Sequence, residues 1–145
     1  MFDLAYLEDF QPGDGLPPLV KEPVSKLQLV KYAGASGDYN LIHTDVETAR
    51  SVGLEHVIAH GMLSMGFLGQ YAAAVAGPQA VRRLRVRFSA MVHLGDVLTC
   101  KGEVKQVQPG EGGTGLLLLS LRAENQQGET VTKGEAAVAL PMRSR

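Results

Sequence analysis

The sequence predicts an α+β fold in which a curved antiparallel sheet wraps around one long buried helix. Residues 61–76 are apolar on nearly every side, with Gln70 the only long polar side chain, and a helix of this kind must be buried. Gly77 and Pro78 mark its end. After that point apolar and polar residues alternate, as in half-buried strands. A sheet that curls around the helix would bury both apolar surfaces.

Short elements are expected ahead of the long helix. Ser25 and Thr44 each precede a Gln or Glu by three residues, which is the spacing of a capping box. We therefore expect one helix that ends near Ala35 and another over residues 45–52. Residues 16–24 contain three prolines, so any strand there should be short or lie at an edge of the sheet.

Four alternating segments follow the long helix. They predict strands near residues 84–90, 98–105, 116–124 and 130–140, which we expect to form an antiparallel meander. One helix wrapped by such a sheet is the hot-dog arrangement. Its open edge and half-covered core favour the pairing of two units, and we expect a homodimer.

Length and composition narrow the class of protein. A chain of 145 residues predicts a single domain over residues 1–145. Its net charge of −1 gives no broad attraction to nucleic acid or to anionic membranes. A single cysteine, Cys100, excludes an internal disulfide and a cysteine-rich metal site. The first residues show no basic segment followed by an apolar one, so we expect no signal peptide. The apolar run of residues 61–76 is shorter than the ~20 residues of a membrane crossing. We expect a cytoplasmic protein.

A polar loop carrying Asp38, Asn40 and His43 precedes the long helix. The unpaired N–H groups at the start of a helix carry partial positive charge, so an acid and a histidine near Gly61 would have an electropositive neighbour. Asp and Asn in a glycine-containing loop also serve as turn formers without any catalytic role. We expect the chemistry of the protein in this region.

Several short motifs taken together resemble one family. They are Tyr32-Ala33, Ser36 to His43, Ile58 to Leu63, Val86 to Phe88 and Gly95-Asp96. This compound pattern is similar to that of the MaoC-like dehydratases, which include (R)-specific enoyl-CoA hydratases and the B subunit of the mycobacterial (R)-3-hydroxyacyl-ACP dehydratase. The resemblance covers nearly the whole chain.

The resemblance implies a hydro-lyase that hydrates trans-2-enoyl thioesters, or dehydrates (R)-3-hydroxyacyl thioesters, of CoA or acyl carrier protein in fatty-acid metabolism. It implies that Asp38 and His43 are the catalytic pair and that the Gly61 N–H binds the thioester oxygen. The implied reaction needs no metal and no cofactor. Addition of water to a conjugated thioester requires an acid–base pair and donors for an enolate-like oxygen, which these groups would supply. The residues expected to bind substrate are Asn40, His60, Met62 and Gly69.

Two positions depart from the family pattern. Leu41 stands where the family loop has a proline, and Gly69 stands where some hydratases have a serine. Two alternatives also remain open. A hot-dog thioesterase would attack the carbonyl carbon, and one subunit of a heterodimeric dehydratase would need a second chain. In a minority interpretation, the arginines at 82, 83, 85 and 87 contact phosphates of CoA or acyl carrier protein.

Overall fold

The computed structural model describes residues 6–143, so residues 1–5 and 144–145 of the predicted domain lie outside the described part. Five strands form one antiparallel sheet: β1 (Gly15–Val20), β2 (Val81–Phe88), β3 (Thr99–Gln108), β4 (Thr114–Glu124) and β5 (Thr130–Pro141). The α-helices are α1 (Lys26–Ser36), α2 (Val46–Ser51) and α3 (Gly61–Ala76), and single 3₁₀ turns lie at Leu7–Asp9, Leu41–His43 and Pro78–Ala80. None of these helices is both long and apolar enough to span a membrane.

Helix α3 occupies the inside of the sheet and contacts β2, β3, β4 and β5, which confirms the predicted fold class. Its bounds are those expected from the sequence. The prediction that it is buried on every side is wrong for the single chain, because the sheet covers only part of its circumference. Met62 is 53% exposed, and Gly66 and Gln70, at intervals of four residues, continue the uncovered stripe.

The order of the strands differs from the predicted meander. Across the sheet the order is β1-β3-β4-β5-β2, so only β3, β4 and β5 are consecutive neighbours. Both sides of β3 are occupied, one by β4 and the other by β1. The strand that follows α3 therefore pairs with the free side of β5. As a result β2, with its four arginines, forms one edge of the sheet.

Strand β1 forms the other edge, as its prolines predicted. Its pairing with β3 is irregular between Leu16 and Leu19, which are separated by Pro17 and Pro18. Proline has no N–H to donate to a ladder and is tolerated at an edge for that reason.

The short helices begin close to the predicted positions. The Ser25 hydroxyl accepts a hydrogen bond from the Gln28 N–H, which confirms the first cap. The second cap was assigned to the wrong residue, since Asp45 and not Thr44 caps α2. Its carboxylate accepts the Thr48 N–H at 2.8 Å and the Thr48 hydroxyl at 2.5 Å, and these bonds lower the pKa of Asp45. A carboxylate that can accept two bonds displaces the neutral hydroxyl as the cap.

A buried pair of hydroxyls ties α3 to the sheet. Ser64 is 2% exposed and Thr132 on β5 is 1% exposed, and their oxygens lie 2.6 Å apart. Ser64 also donates to the Gly61 carbonyl oxygen at 2.8 Å, so Thr132 is the donor between the two hydroxyls. The pair therefore fixes the first turn of α3 against β5.

We predict that Ser64→Ala lowers the free energy of unfolding by about 1–3 kcal/mol, because the Thr132 hydroxyl is left buried without its acceptor. Urea denaturation measures this change. The double variant Ser64→Ala/Thr132→Val should recover part of the loss, since both polar groups are then removed. The exposed Ser89→Ala is the control. A double variant less stable than Ser64→Ala would contradict this role for the pair.

Candidate active site

Hydrogen bonds within the loop after α1 fix the position of Asp38. Gly37 ends the helix with a φ of 75°, and the Asp38 N–H donates to the Ser36 hydroxyl at 3.1 Å. One carboxylate oxygen of Asp38, Oδ1, accepts the Asn40 N–H at 3.3 Å, while the Asn40 side chain accepts the Ile42 N–H at 3.2 Å. These bonds orient the carboxylate and leave its second oxygen available.

His43 faces that second oxygen. Its Nε2 lies 3.8 Å from Asp38 Oδ2, and its Nδ1 lies 2.7 Å from the main-chain carbonyl oxygen of Ile58. A carbonyl oxygen only accepts, so in the neutral ring Nδ1 carries the proton and Nε2 presents a lone pair. Asp38 Oδ2 and His43 Nε2 are then both acceptors. A water molecule between them can donate one hydrogen to each.

His60 contacts both members of this pair. Its ring stacks on the His43 ring, with 3.9 Å between centroids, and lies 4.8 Å from the ring of Tyr32. Its Nε2 donates to the main-chain carbonyl oxygen of Asp38 at 3.2 Å. The side chain is fully enclosed, and burial, followed by the neighbouring His43, lowers the pKa of His60. His60 is therefore neutral at pH 7 and holds both catalytic candidates.

Asp38, His43 and His60 each offer a possible metal-ligand atom, and these atoms lie within 4.8 Å of one another. Two features of the geometry disfavour a shared metal ion. The planes of the two imidazoles differ by only 24°, so an ion in the plane of one ring lies well outside the plane of the other. In addition, His60 Nε2 is committed to the Asp38 carbonyl. The arrangement suits proton transfer better than metal binding.

Gly61 lies at the start of α3, where backbone N–H groups have no partner within the helix. It borders a cleft of about 500 Å³ that also reaches His43. The other residues that line this cleft are Ile58, Ala59, Phe88, Ser89, Ala90, Met91 and Val92. A reactant in the cleft would meet the histidine and the positive end of the helix together.

The remaining predicted site residues are more scattered. Asn40 shapes the Asp38 loop, and its side chain is used as a cap. Met62 is exposed on the first turn of α3, next to Gly61. Gly69 is about 12 Å further along the helix axis, where a Cβ atom would meet Leu84 of β2 at 3.4 Å. The structure therefore brings Asp38, His43, His60 and Gly61 together but not Gly69.

Leu41, the departure from the family loop, does not prevent the turn. The His43 N–H donates to the Asn40 carbonyl oxygen at 3.1 Å, and the Thr44 N–H donates to the Leu41 carbonyl oxygen at 3.1 Å. The 3₁₀ turn that carries His43 is thus closed without a proline. The leucine side chain itself is 54% exposed.

Sequence reasoning missed several contributors to the site. Ile58 acts through its carbonyl oxygen, and a backbone acceptor leaves no side-chain signal in a sequence. Phe88 and Met91 enter the cleft from the end of β2 and the segment after it, and their proximity to His43 depends on the tertiary structure. Tyr32, Ile58 and Phe88 do lie within the motifs that resemble the family, but the resemblance assigned none of them a role in the site.

Known proteins resemble this chain in sequence and in structure. The MaoC like domain matches residues 9–120. An (R)-specific enoyl-CoA hydratase of Rhodospirillum rubrum is 30% identical over 97% of this chain and 94% of its own length. The R-hydratase PhaJ1 of Pseudomonas aeruginosa superposes with a TM-score of 0.79, at 29% identity over 95% of this chain and 86% of its own. A chain of the ChsH1-ChsH2 complex of Mycobacterium tuberculosis superposes with a TM-score of 0.74, at 25% identity over 92% and 98%. Because the family model matches residues 9–120 and the R. rubrum relative is 30% identical over 97% of this chain, the chain belongs to the MaoC-like domain family.

Proposed function

We propose that this protein is an (R)-specific hydro-lyase that adds water to trans-2-enoyl thioesters and, in reverse, removes water from (R)-3-hydroxyacyl thioesters. The observation that carries the proposal is the facing of Asp38 Oδ2 and His43 Nε2 across 3.8 Å, beside the N-terminus of α3. The names of the R. rubrum and P. aeruginosa relatives support the same reaction class.

The proposed hydration begins with a water molecule held between Asp38 and His43. Its oxygen attacks the β-carbon of the enoyl thioester as one member of the pair accepts a proton. A proton is then delivered to the α-carbon, so that one water molecule is added across the double bond. The two groups act as a coupled pair, and the proton is assigned to the pair as a whole.

The thioester oxygen gains negative charge as the water adds. We propose that the Gly61 N–H donates a hydrogen bond to this oxygen, assisted by the partial positive charge at the start of α3. A Cβ atom at this position would be in ordinary van der Waals contact with the Phe88 ring, at 3.4 Å, at the wall of the cleft. The reacting carbons would then lie between Gly61 and His43.

The other predicted site residues receive narrower roles. Asn40 holds the Asp38 loop, and His60 positions both members of the pair through its stack and its hydrogen bond. Met62, on the first turn of α3, is proposed to contact substrate. Gly69 is retained as a proposed acyl-chain contact further along α3, next to Leu84.

The proposal extends to the carrier of the acyl chain, the cellular compartment and the oligomeric state. The thioester is of CoA, as in the names of the relatives, with acyl carrier protein as the alternative carrier. We place the enzyme in the cytoplasm. The open β2 edge supports the pairing of two sheets, as a homodimer or as a heterodimer.

We predict that Asp38→Asn and His43→Gln each lower the rate of crotonyl-CoA hydration by about 10²- to 10⁴-fold, because each removes one acceptor for the water. Loss of the conjugated enoyl absorbance measures the reaction, and a thiol reagent detects hydrolysis. The exposed residues Glu47 and His56 supply the control variants Glu47→Gln and His56→Gln. Release of free thiol without hydration would identify a thioesterase. Near-parental rates in both site variants would contradict the assignment of Asp38 and His43 as the catalytic pair.

We predict that Gly61→Pro lowers kcat by about 100- to 1,000-fold, because it removes one oxyanion donor. Proline is favoured at the first position of a helix, and His60, with φ −58° and ψ 134°, already has the backbone that precedes proline. Gly61→Ala is the matched control, since it keeps the N–H and adds only a Cβ. If the two variants had equal rates and circular dichroism showed both folded, the Gly61 N–H would not be the donor.

We predict that His60→Phe lowers kcat more than His60→Gln does, with little change in KM. Glutamine keeps an N–H that can reach the Asp38 carbonyl, whereas phenylalanine keeps only the stacked ring. Steady-state kinetics with crotonyl-CoA separates the two parameters. A rise in KM at constant kcat would instead indicate that His60 binds substrate, as its place in the sequence motif first suggested.

A further inference from the structure

Asp96, the acid of the Gly95-Asp96 motif, has no role in the proposed reaction, yet it is buried. It is 7% exposed, and among residues 6–143 no other Asp or Glu is buried to this extent. A carboxylate is costly to remove from water unless hydrogen bonds replace those it loses. Both of its oxygens are therefore expected to be hydrogen-bonded, and both are.

The two oxygens of Asp96 hold two separate parts of the chain. Oδ2 accepts the main-chain N–H of His93 at 2.8 Å, and Oδ1 accepts the side-chain amide of Gln126 at 2.9 Å. The Gln126 side-chain oxygen in turn accepts the Val97 N–H at 3.0 Å. The His93 ring is 61% exposed, and its Nδ1 lies 3.7 Å from Oδ2, beyond hydrogen-bond distance. Asp96 therefore holds His93 by its backbone and ties the turn before β3 to the hairpin between β4 and β5.

A second turn of the same design shows what turn closure alone requires. Asp14 Oδ2 accepts the Gln11 N–H at 2.8 Å, and the Asp14 N–H donates to the Gln11 carbonyl oxygen at 3.1 Å. The Asp96 N–H likewise donates to the His93 carbonyl oxygen at 3.1 Å, and a glycine of positive φ precedes each acid. Asp14 is not buried, and within the described residues no side chain donates to it. The burial of Asp96 and its bond to Gln126 are thus additional to closing a turn.

The turn closed by Asp96 supports the segment that leads into α3. His93 lies opposite Ile58 in an isolated antiparallel bridge, and the main-chain N–H of the residue after Ile58 donates to the Val92 carbonyl oxygen at 2.8 Å. The Ile58 carbonyl oxygen accepts the proton of His43 Nδ1 at 2.7 Å. A displacement of His93 would therefore reach the acceptor that sets the tautomer of His43.

We propose that Asp96 is a positioning residue for His43 and acts by fixing the bridge between His93 and Ile58. With the His93 N–H and the Gln126 amide both held, the Ile58 carbonyl oxygen stays in line with His43 Nδ1. Without them this oxygen gains freedom, and both tautomers of the neutral His43 ring become populated. Only the tautomer with a lone pair on Nε2 accepts a proton from the water. The effect on rate rests on the proposed function, whereas the effect on the tautomer does not.

The variant Asp96→Asn tests this role, because backbone bonds still hold the turn. The Val24 N–H donates to the carbonyl oxygen of residue 96 at 2.9 Å, and the Gly95 N–H donates to the Val24 carbonyl oxygen at 2.8 Å. Asparagine offers one oxygen and one amino group in place of two oxygens, so one of the two donors loses its acceptor. We expect kcat for crotonyl-CoA hydration to fall about 10- to 100-fold with little change in KM. Long-range ¹H–¹⁵N spectra should show a mixture of His43 tautomers.

The double variant Asp96→Asn/Gln126→Glu restores the hydrogen bonds with one donor and one acceptor exchanged. The asparagine oxygen accepts the His93 N–H, its amino group donates to the introduced carboxylate, and that carboxylate still accepts the Val97 N–H. We expect kcat and the His43 tautomer to return close to those of the parent. Asp14→Asn is the matched control, since it weakens a turn of the same design that does not contact Ile58, and it should change neither kcat nor the His43 spectrum.

Two results would overturn the inference. In the first, Asp96→Asn lowers the free energy of unfolding but leaves kcat and the His43 spectrum as in the parent, so that the acid is a turn former like Asp14. In the second, the double variant folds but remains as slow as Asp96→Asn.

A milder variant covers the case in which Asp96→Asn does not fold. Gln126→Ala, at an exposed position, removes only the donor to Oδ1 and should shift the His43 spectrum in the same direction. An unchanged spectrum in this variant would overturn the inference. If the parent itself shows no hydration of crotonyl-CoA, the proposed function fails, and the His43 spectra still decide the role of Asp96.

Discussion

The hydrogen bond from His43 Nδ1 to the Ile58 carbonyl oxygen is the contact on which the site depends. At 2.7 Å it joins the loop after α1 to the segment that leads into α3. That segment is itself fixed, because the Ile58 N–H donates to the Ile42 carbonyl oxygen and the Ala59 N–H donates to the Val92 carbonyl oxygen. The position and tautomer of His43 are thus set by backbone groups, and Nε2 is left to face Asp38.

Much of this arrangement could be predicted from residue types and spacing. The ends of α3, the Ser25 cap and the edge position of β1 follow from local rules of apolar periodicity, capping and proline chemistry. The close approach of Asp38 and His43 was expected from their place in one short motif, and their side chains do lie within 4 Å. Local sequence determines these features because the groups that make them are near each other in the chain.

The features that could not be predicted depend on distant parts of the chain. The pairing of β2 with β5, and not with β3, is decided by which strand sides are already occupied. The Ile58 carbonyl oxygen carries no sequence signal, and Phe88 reaches the cleft only through that same strand order. The Asp45 cap was missed for a different reason. Thr44 fitted the capping-box spacing, but the carboxylate one residue later is the stronger acceptor.

The uncovered surfaces of the single chain adjoin one another. The stripe of α3 that begins at Met62, the β2 edge and the cleft wall at Phe88 all lie where the sheet stops covering the helix. These surfaces connect the reaction to the assembly, because a strand added to β2 would also enclose the cleft.

The role of His43 is tested most directly by the tautomer of its ring in solution. Long-range ¹H–¹⁵N correlation spectra of the ¹⁵N-labelled protein, recorded at a pH where the ring is neutral and assigned with His43→Gln, distinguish a protonated ring nitrogen from an unprotonated one. We expect Nδ1 to be protonated and Nε2 to show the shift of a free lone pair. A proton on Nε2 would contradict the proposal that this atom and Asp38 Oδ2 accept hydrogen bonds from the same water molecule.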